Sequence, residues 1–392
     1  MRACMLAYTF YETDSRVIRY AEALAQRGDH VDVIALRKDG QPSDEILNGM
    51  HLFRIQERII DEKGKFDYLF RLIKFFIKSA IFITQKNRGE PYDIIHVHSV
   101  PDFEVFAATL PKLTGSKVIL DIHDLVPEFY ASKFKKNKQS FIYKTLLIIE
   151  RVSCRFADHV IAANHIWEKT LTGRSVRKEH CTTILNYPKT SVFHKSDIGK
   201  ENGKFIFLYP GSLSHHQGLD VAIKAFSLIK NDFPEAEFHI YGEGPSEPAL
   251  KQLASRLGVS ERILFKREVP LERIASIIAN ADIGVVPKRN DGFGGEAFST
   301  KILEFMISGV PVILSATRID RYYFNDAIVK FFNPDDEKDL ATCMLTLTRD
   351  KALRDRLSEN ALRFVENYTW EKRKCEYLDL VDSLLKQKKG LY

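Results

Sequence analysis

Several features that mark specialised protein classes are missing from this chain of 392 residues. Its five cysteines, Cys4, Cys154, Cys181, Cys343 and Cys375, are scattered, and none stands in a Cys-x-x-Cys pair. That argues against a disulfide framework and a structural zinc site, and it favours a reducing compartment. No Gly-x-Gly-x-x-Gly follows the first strand. The Gly-x-Gly at Gly242 and Gly244 is late and incomplete, which disfavours a nicotinamide dehydrogenase. There is no low-complexity tract, no repeat of solenoid length and no apolar run long enough for a transmembrane span. The opening MRACMLAYTFYETD is too briefly apolar for a signal peptide and reads as the first strand of a cytoplasmic protein.

What is present is ordinary for a globular protein, with 45% hydrophobic and 28% charged residues and length enough for two domains. The net charge of +6 is uneven: residues 1–190 hold 29 Lys and Arg against 23 Asp and Glu, and residues 191–392 hold 29 against 29. This excess is too mild for nucleic acid, which calls for a concentrated basic face with stacking aromatics. It is consistent with an anionic acceptor or lipid surface meeting the first half.

Short apolar runs alternate with helical patterns throughout. Strands are expected at residues 3–8, 31–36, 52–55, 93–98, 117–122 and 159–162, then at 205–209, 237–241, 263–266, 282–286 and 310–314. Helices are expected at 16–27, 219–230, 246–257 and 370–386. This alternation implies an α/β protein with two doubly wound parallel sheets, each covered on both faces. Two such units in tandem would place a ligand cleft between the C-terminal edges of their strands. The break falls in the polar stretch 186–202. The expected domains are 1–190, joined by the last helix at 371–392, and 191–370.

The most informative stretch is EAFSTKILEFMISGVPV, residues 296–312. Periodic apolar residues give a short helix ended by Gly309, with Ser299 or Thr300 as its N-cap. Backbone N–H groups from Phe298 to Lys301 would then be open to an anion, with Lys301 adding charge. Glu304 lies about one turn on along the same face, and Glu296 stands upstream in the Gly-rich loop DGFGGE. An anion site flanked by carboxylates suits a ligand that is both phosphate and polyol. A capped surface helix with solvated charges is the alternative.

These residues resemble glycosyltransferase family 4, retaining enzymes of the GT-B fold, over nearly the whole chain. Glu296, seven intervening residues, Glu304 and the FMISGVPVI that follows look like the family signature. GSLSHHQGLDVAIKAF, IYGEGPSEPALKQLA and ANADIGVVPKRNDGFG look like its donor domain, and DIHDLVPEFY and IERVSCRFADHVIAAN like its acceptor domain. The closing TWEKRKCEYLDLVDSL resembles the helix that crosses back to the first domain. The resemblance implies that Glu304 binds the ribose, that Glu296 holds the transferred sugar, and that Phe298, Ser299 and Thr300 contact that sugar or its phosphate. His123 would reach the sugar from the first domain, and the backbone near Val269 would meet the base. Gly211 and Ser212, with Gly242 in the next loop, belong to the donor loops. Asp14, Arg16 and His98 are the candidates for acceptor binding; Asp14 and Arg16 equally suit a helix cap with a surface charge. The family usually has Arg at the position of Ser212 and Lys before the glycine of Gln217-Gly218. Here His216 and Lys301, with Lys288 or Arg289, are the cations left for the diphosphate.

No Asp-x-Asp pair is present, so the leaving diphosphate is expected to be stabilised by the helix N-terminus and Lys301, without a metal. His96 and His98, with His123, could suggest a metal, but no carboxylate or cysteine in the sequence completes a convincing set. The resulting expectation is a cytoplasmic retaining glycosyltransferase that needs no cofactor. It would carry a hexose or N-acetylhexosamine from a UDP-sugar, as co-substrate, to a glycan or lipid-linked acceptor of the cell envelope. A nucleotide-sugar epimerase and a non-catalytic two-lobed sugar-binding protein are the rivals. The pair Glu296 and Glu304 could also be misread as glycosidase carboxylates, but its spacing suits two sugars of one donor. KFDYLFRLIKFFIKSAIFI, residues 65–83, is either a helix packed on the sheet or an interfacial helix on an anionic membrane, with KFKKNK at 133–138 adding lysines.

Overall fold

A computed structural model describes residues 1–58, 65–134, 139–195 and 203–389. The chain divides into two compact units, Met1–Asn186 with Lys374–Tyr392, and Tyr187–Arg373. Of the expected linker, residues 196–202 lie outside the described residues, as do Lys135, Lys136 and Lys138 of the lysine cluster.

The first unit contains the strands β1 (Arg2–Ala7), β2 (His30–Arg37), β3 (Asp44–Leu47), β4 (Met50–Glu57), β5 (Ile94–His98), β6 (Lys117–Ile122), β7 (His159–Ala162) and β8 (Cys181–Thr183). Their order in the sheet is β3-β4-β2-β1-β5-β6-β7-β8. Among the described residues only the β3–β4 pair is antiparallel; every other pair is parallel. All five residues of β5 and all four of β7 are buried, as expected for strands covered by helices on both faces. The helix Ser15–Gln26 starts where the Asp14 carboxylate accepts the N–H groups of Arg16 and Val17, both at 3.2 Å. The last helix, Trp370–Lys389, contributes the buried Tyr377, Val381 and Leu384.

The second unit contains β9 (Phe205–Pro210), β10 (Ala236–Tyr241), β11 (Ile263–Lys266), β12 (Ile283–Val286), β13 (Val312–Ser315) and β14 (Lys330–Phe332), all parallel, in the order β11-β10-β9-β12-β13-β14. Its core gathers Phe207, Phe226, Phe238 and Ile240 against helix residues such as Met344 and Leu347. The strand expected at 310–314 begins at Val312 instead, because the preceding helix uses Val310. The N–H of Gly309 donates to the Met306 carbonyl at 3.0 Å and that of Val310 to the Phe305 carbonyl at 2.9 Å. This six-residue closure needs a left-handed residue, and Gly309 supplies it at φ +71°. Strands β3, β8 and β14, three or four residues long, were not expected from the sequence. They lie at or next to sheet edges, where little apolar patterning is required.

Candidate active site

In both sheets the chain reverses its direction of winding once, between β1 and β5 in the first unit and between β9 and β12 in the second. Loops leaving neighbouring strands part at such a point, and α/β sheets bind ligands there. Several of the residues singled out from the sequence follow these strands: Asp14 after β1, His98 at the end of β5, and Gly211 and Ser212 after β9.

In the second unit the loops after β9 and β10 interlock. Gly211 donates its N–H to Tyr241 O at 2.8 Å, and Leu213 donates to Glu243 O at 2.9 Å. A side chain on Gly242, at φ +144°, would stand 2.0 Å from the Gly211 carbonyl, so only glycine allows the approach. The Tyr209 hydroxyl donates to the Ser212 carbonyl at 2.9 Å, while the Ser212 residue itself is exposed. A recess of about 480 Å³ lies at the ends of β10 and β11, lined by Gly242, Glu243, Lys266 and Arg267 among others. Val269 follows β11, half-buried.

The helix Thr300–Ile307 opens beside these loops. Ser299 occupies the N-cap position, but its side chain caps no N–H group, so the first turn is left to other partners. Lys301 is the cation of the site. Its Nζ lies 4.8 Å from the centre of the Tyr209 ring and 3.0 Å from where a side chain on Gly211 would begin. Among the described residues it has no hydrogen bond or ion pair. Burial lowers its pKa to about 8, with Glu304 pulling the other way and Lys288 adding to the depression. Glu304, one turn along, is half-buried. Glu296 accepts a hydrogen bond from Arg318 Nη1 at 2.6 Å. Phe298 packs its ring against Tyr323 and Phe324.

Two of the expected cations are already committed. Lys288, 2% exposed, is locked on Asp320 at 2.9 Å and donates to the Ala297 carbonyl at 2.8 Å. Arg289 forks onto both oxygens of Asp220, at 2.6 and 2.7 Å, and also pairs with Asp335. Their charges build the loop and are not available to a diphosphate. His216 stacks edge-on against Phe293. Burial holds its pKa below the ordinary value, with Lys301 among the groups that add to this and Asp291 opposing, so near neutral pH it enters as an uncharged imidazole.

In the first unit His96 and His98 point to one face of β5, and Asp121 lies on β6 opposite His98. Arg16 clamps Asp121 with Nε and Nη2, both at 2.7 Å, and donates Nη1 to the Ile184 carbonyl at 2.9 Å. The pair holds Asp121 well below the usual carboxylate range despite its burial. His123 Nε2 lies 3.2 Å from Asp121 Oδ2 and 3.2 Å from His98 Nδ1. Burial alone would lower the His123 pKa, but Asp121 outweighs it and the pKa is raised. His96 stacks on His98 with ring centres 4.1 Å apart, and its Nδ1 is 3.0 Å from Tyr377 Oη. Tyr20 packs on both histidines.

Of this cluster His123 alone has appreciable side-chain surface, 22%. Arg16 and His98, expected to meet an acceptor, are buried, at 5% and 2% exposure, and hold Asp121 and His123 in place. Asp14 is the helix cap. Ligand atoms of His96, His98 and Asp121 lie within 4.8 Å of one another, as a metal would require. Both Asp121 oxygens, however, already face the Arg16 guanidinium, a poor neighbour for a divalent cation.

Residues 14–187 match the family described as Glycosyltransferase Family 4, and residues 192–364 match the one described as Glycosyl transferases group 1. The chain belongs to glycosyltransferase family 4. Mannosylfructose-phosphate synthase of Agrobacterium fabrum is 25% identical to this glycosyltransferase over 394 residues, covering 93% of the chain and 85% of the relative. Sucrose-phosphate synthase from Thermosynechococcus elongatus superposes with a TM-score of 0.81 at 18% identity, covering 99% of this chain and 100% of that one. Anabaena HepE in complex with UDP-glucose superposes with a TM-score of 0.70 at 15% identity, covering 100% and 99%. The family-4 enzyme therefore has the GT-B fold of two parallel-sheet α/β domains.

Sequence reasoning passed over Asp121, Arg318 and Tyr377. Asp121 was within reach, since Asp121 and His123 are two apart along an extended segment and so share a face. Arg318 and Tyr377 meet their partners through tertiary packing, and no local spacing announces them.

Proposed function

We propose that this family-4 glycosyltransferase moves a hexose or N-acetylhexosamine from a UDP-sugar to a glycan or lipid-linked acceptor of the cell envelope, with retention of configuration and without a metal. The observation that carries the reading is Lys301, without an ion pair among the described residues, at a helix mouth, against Gly211 and one turn from Glu304, at the reversal point of the second sheet. A diphosphate brings the negative charge that this cation lacks. Ribose and hexose hydroxyls donate to Glu304 and Glu296, and Arg318 holds the Glu296 carboxylate in one orientation. HepE, which superposes over the whole chain, was solved with UDP-glucose, and this favours a uridine donor.

In the transfer, the bond from the anomeric carbon to the diphosphate oxygen breaks and a bond to the acceptor oxygen forms on the same face. The acceptor proton leaves with the diphosphate. Fixed donors aimed at the leaving group supply the largest part of such catalysis, and here they are Lys301 and the uncapped N–H groups of its helix. His123, positioned by Asp121, keeps side-chain surface with which a substrate group could be met.

A panel of nucleotide sugars screened by thermal shift tests the reading, because a bound donor raises apparent stability. A rise in Tm with UDP-sugars is expected, and indifference to every nucleotide sugar would refute it. Activity should be undiminished in excess chelator; full loss restored by manganese would remove the metal-free part. Conversion of a donor into another sugar nucleotide without acceptor would replace transfer by epimerisation.

A further inference from the structure

We propose that the first unit docks on an anionic bilayer through the combined outer face of the helices Lys65–Gly89, Thr109–Leu113 and Phe141–Phe156. The surface is separate from the donor site, and the inference does not depend on the sugar or nucleotide used. The sequence suggested only that residues 65–83 form either a packed helix or an interfacial one. In the structure the helix is both. Leu72, Phe75 and Ile83 are buried, while Leu69, Phe70, Ile73, Ile77 and Ile81 stand out, with Phe70 65% exposed. Their spacing of three to four residues makes one continuous stripe.

A second stripe was not legible beforehand. On the helix Phe141–Phe156, Phe141, Ile142, Ile148 and Val152 are exposed, Phe141 by 84%. The two helices flank the segment Asp102–Ala108, since Phe103 packs on Phe76 and Phe106 on Phe156, with ring centres 5.9 and 5.1 Å apart. The short helix Thr109–Leu113 follows that segment and adds Leu110 and Leu113, the latter 77% exposed. Three neighbouring helices thus leave large apolar side chains uncovered, more than the scattered single residues usual on a soluble surface.

Charge selects the occupant. The exposed charges on these helices are Lys74, Lys78 and Arg88 on the first, and Lys144, Arg151 and Arg155 on the last. No carboxylate on either helix is exposed among the described residues: Asp67 is half-buried and paired with Arg71, and Glu150 is buried under Arg174. On these helices the exposed charges beside the large apolar side chains are all cations among the described residues, Glu90 standing just past the end of the first helix, and this combination matches the boundary between phosphate headgroups and acyl chains. A groove of about 740 Å³ between β4 and the first helix carries Lys74 and Lys78 on its helix wall and Arg37, Asp44 and Glu57 on the strand side. Among the described residues no helix is long and apolar enough to cross a membrane. The contact is therefore peripheral.

The test is sedimentation of the full chain with vesicles of phosphatidylcholine alone, and with about one-third phosphatidylglycerol. Binding to the anionic vesicles, weakened by salt, is expected. Ile73→Glu with Ile77→Glu, and separately Ile148→Glu with Val152→Glu, should each lower partitioning about tenfold or more. All four positions are exposed, and an unchanged Tm together with an unchanged UDP thermal shift would show that the variants fold and bind donor. Lys144→Glu with Arg151→Glu should remove the preference for anionic lipid. Absence of binding to anionic vesicles, or binding that survives both glutamate pairs, would overturn the proposal. So would a dimer in light scattering that the glutamate pairs dissociate, since the face would then belong to a second copy.

Discussion

The protonation of Lys301 offers the most direct probe of the donor site. Its ammonium is half-buried between the Tyr209 ring and Gly211, without an ion pair among the described residues, and its pKa is lowered to about 8. At pH 7 about ten molecules in eleven carry the charge, and at pH 9 about one in eleven. Only the charged form attracts a diphosphate, and binding stabilises that form further. Affinity for UDP should therefore be flat below about pH 8 and weaken about tenfold for each pH unit above it. The fall ends when the neutral amine's affinity is reached. A charge-assisted hydrogen bond contributes about 1.5–3 kcal/mol, so the total loss is on the order of 10- to 150-fold. Lys301→Met should start on that weak plateau at pH 7 and stay there. Calorimetric titration of both proteins with UDP from pH 7 to 9 isolates the lysine, because ionisations of the nucleotide cancel in the comparison. Parallel curves for the two proteins would refute the assignment.

Three further outcomes follow from the same geometry. Gly242→Ala sets a methyl group 2.0 Å from the Gly211 carbonyl at φ +144°, and should cost about 3 kcal/mol or more in a urea melt while weakening UDP binding. Glu304→Ala should abolish the thermal shift for every donor, whereas Glu296→Ala should blunt discrimination among sugars carried by the same nucleotide. Asp121→Asn strands the Arg16 guanidinium in the interior, with an expected loss of about 3–5 kcal/mol. It also removes the charge that keeps His123 above its ordinary pKa, so an NMR titration of that imidazole should move downward.

The sequence made the parallel sheets legible because buried strands such as β1 and β12 are apolar on both faces, and Gly28 and Gly309 mark helix ends by their backbone freedom. The short strands β3, β8 and β14 carry no such requirement and went unread. The grouping of Glu296, Lys301 and Glu304 was visible because the three lie within nine residues of one another. The fate of Lys288 and Arg289 was not, since Asp320 and Asp220 are about 30 and 70 positions distant and meet them only in three dimensions. Likewise, no periodicity distinguishes a buried Arg16 from an exposed one until the Asp121 clamp is seen.

The last helix begins in the second unit, where the Trp370 N–H donates to the Pro188 carbonyl at 2.9 Å, and from Lys374 it belongs to the first. Tyr377, Val381 and Leu384 therefore plug the interior of a unit whose other residues leave the ribosome long before them. The first unit is therefore completed only after every residue of the second has been made, and a nascent polypeptide stalled before residue 374 would lack the tyrosine that seats the histidine stack.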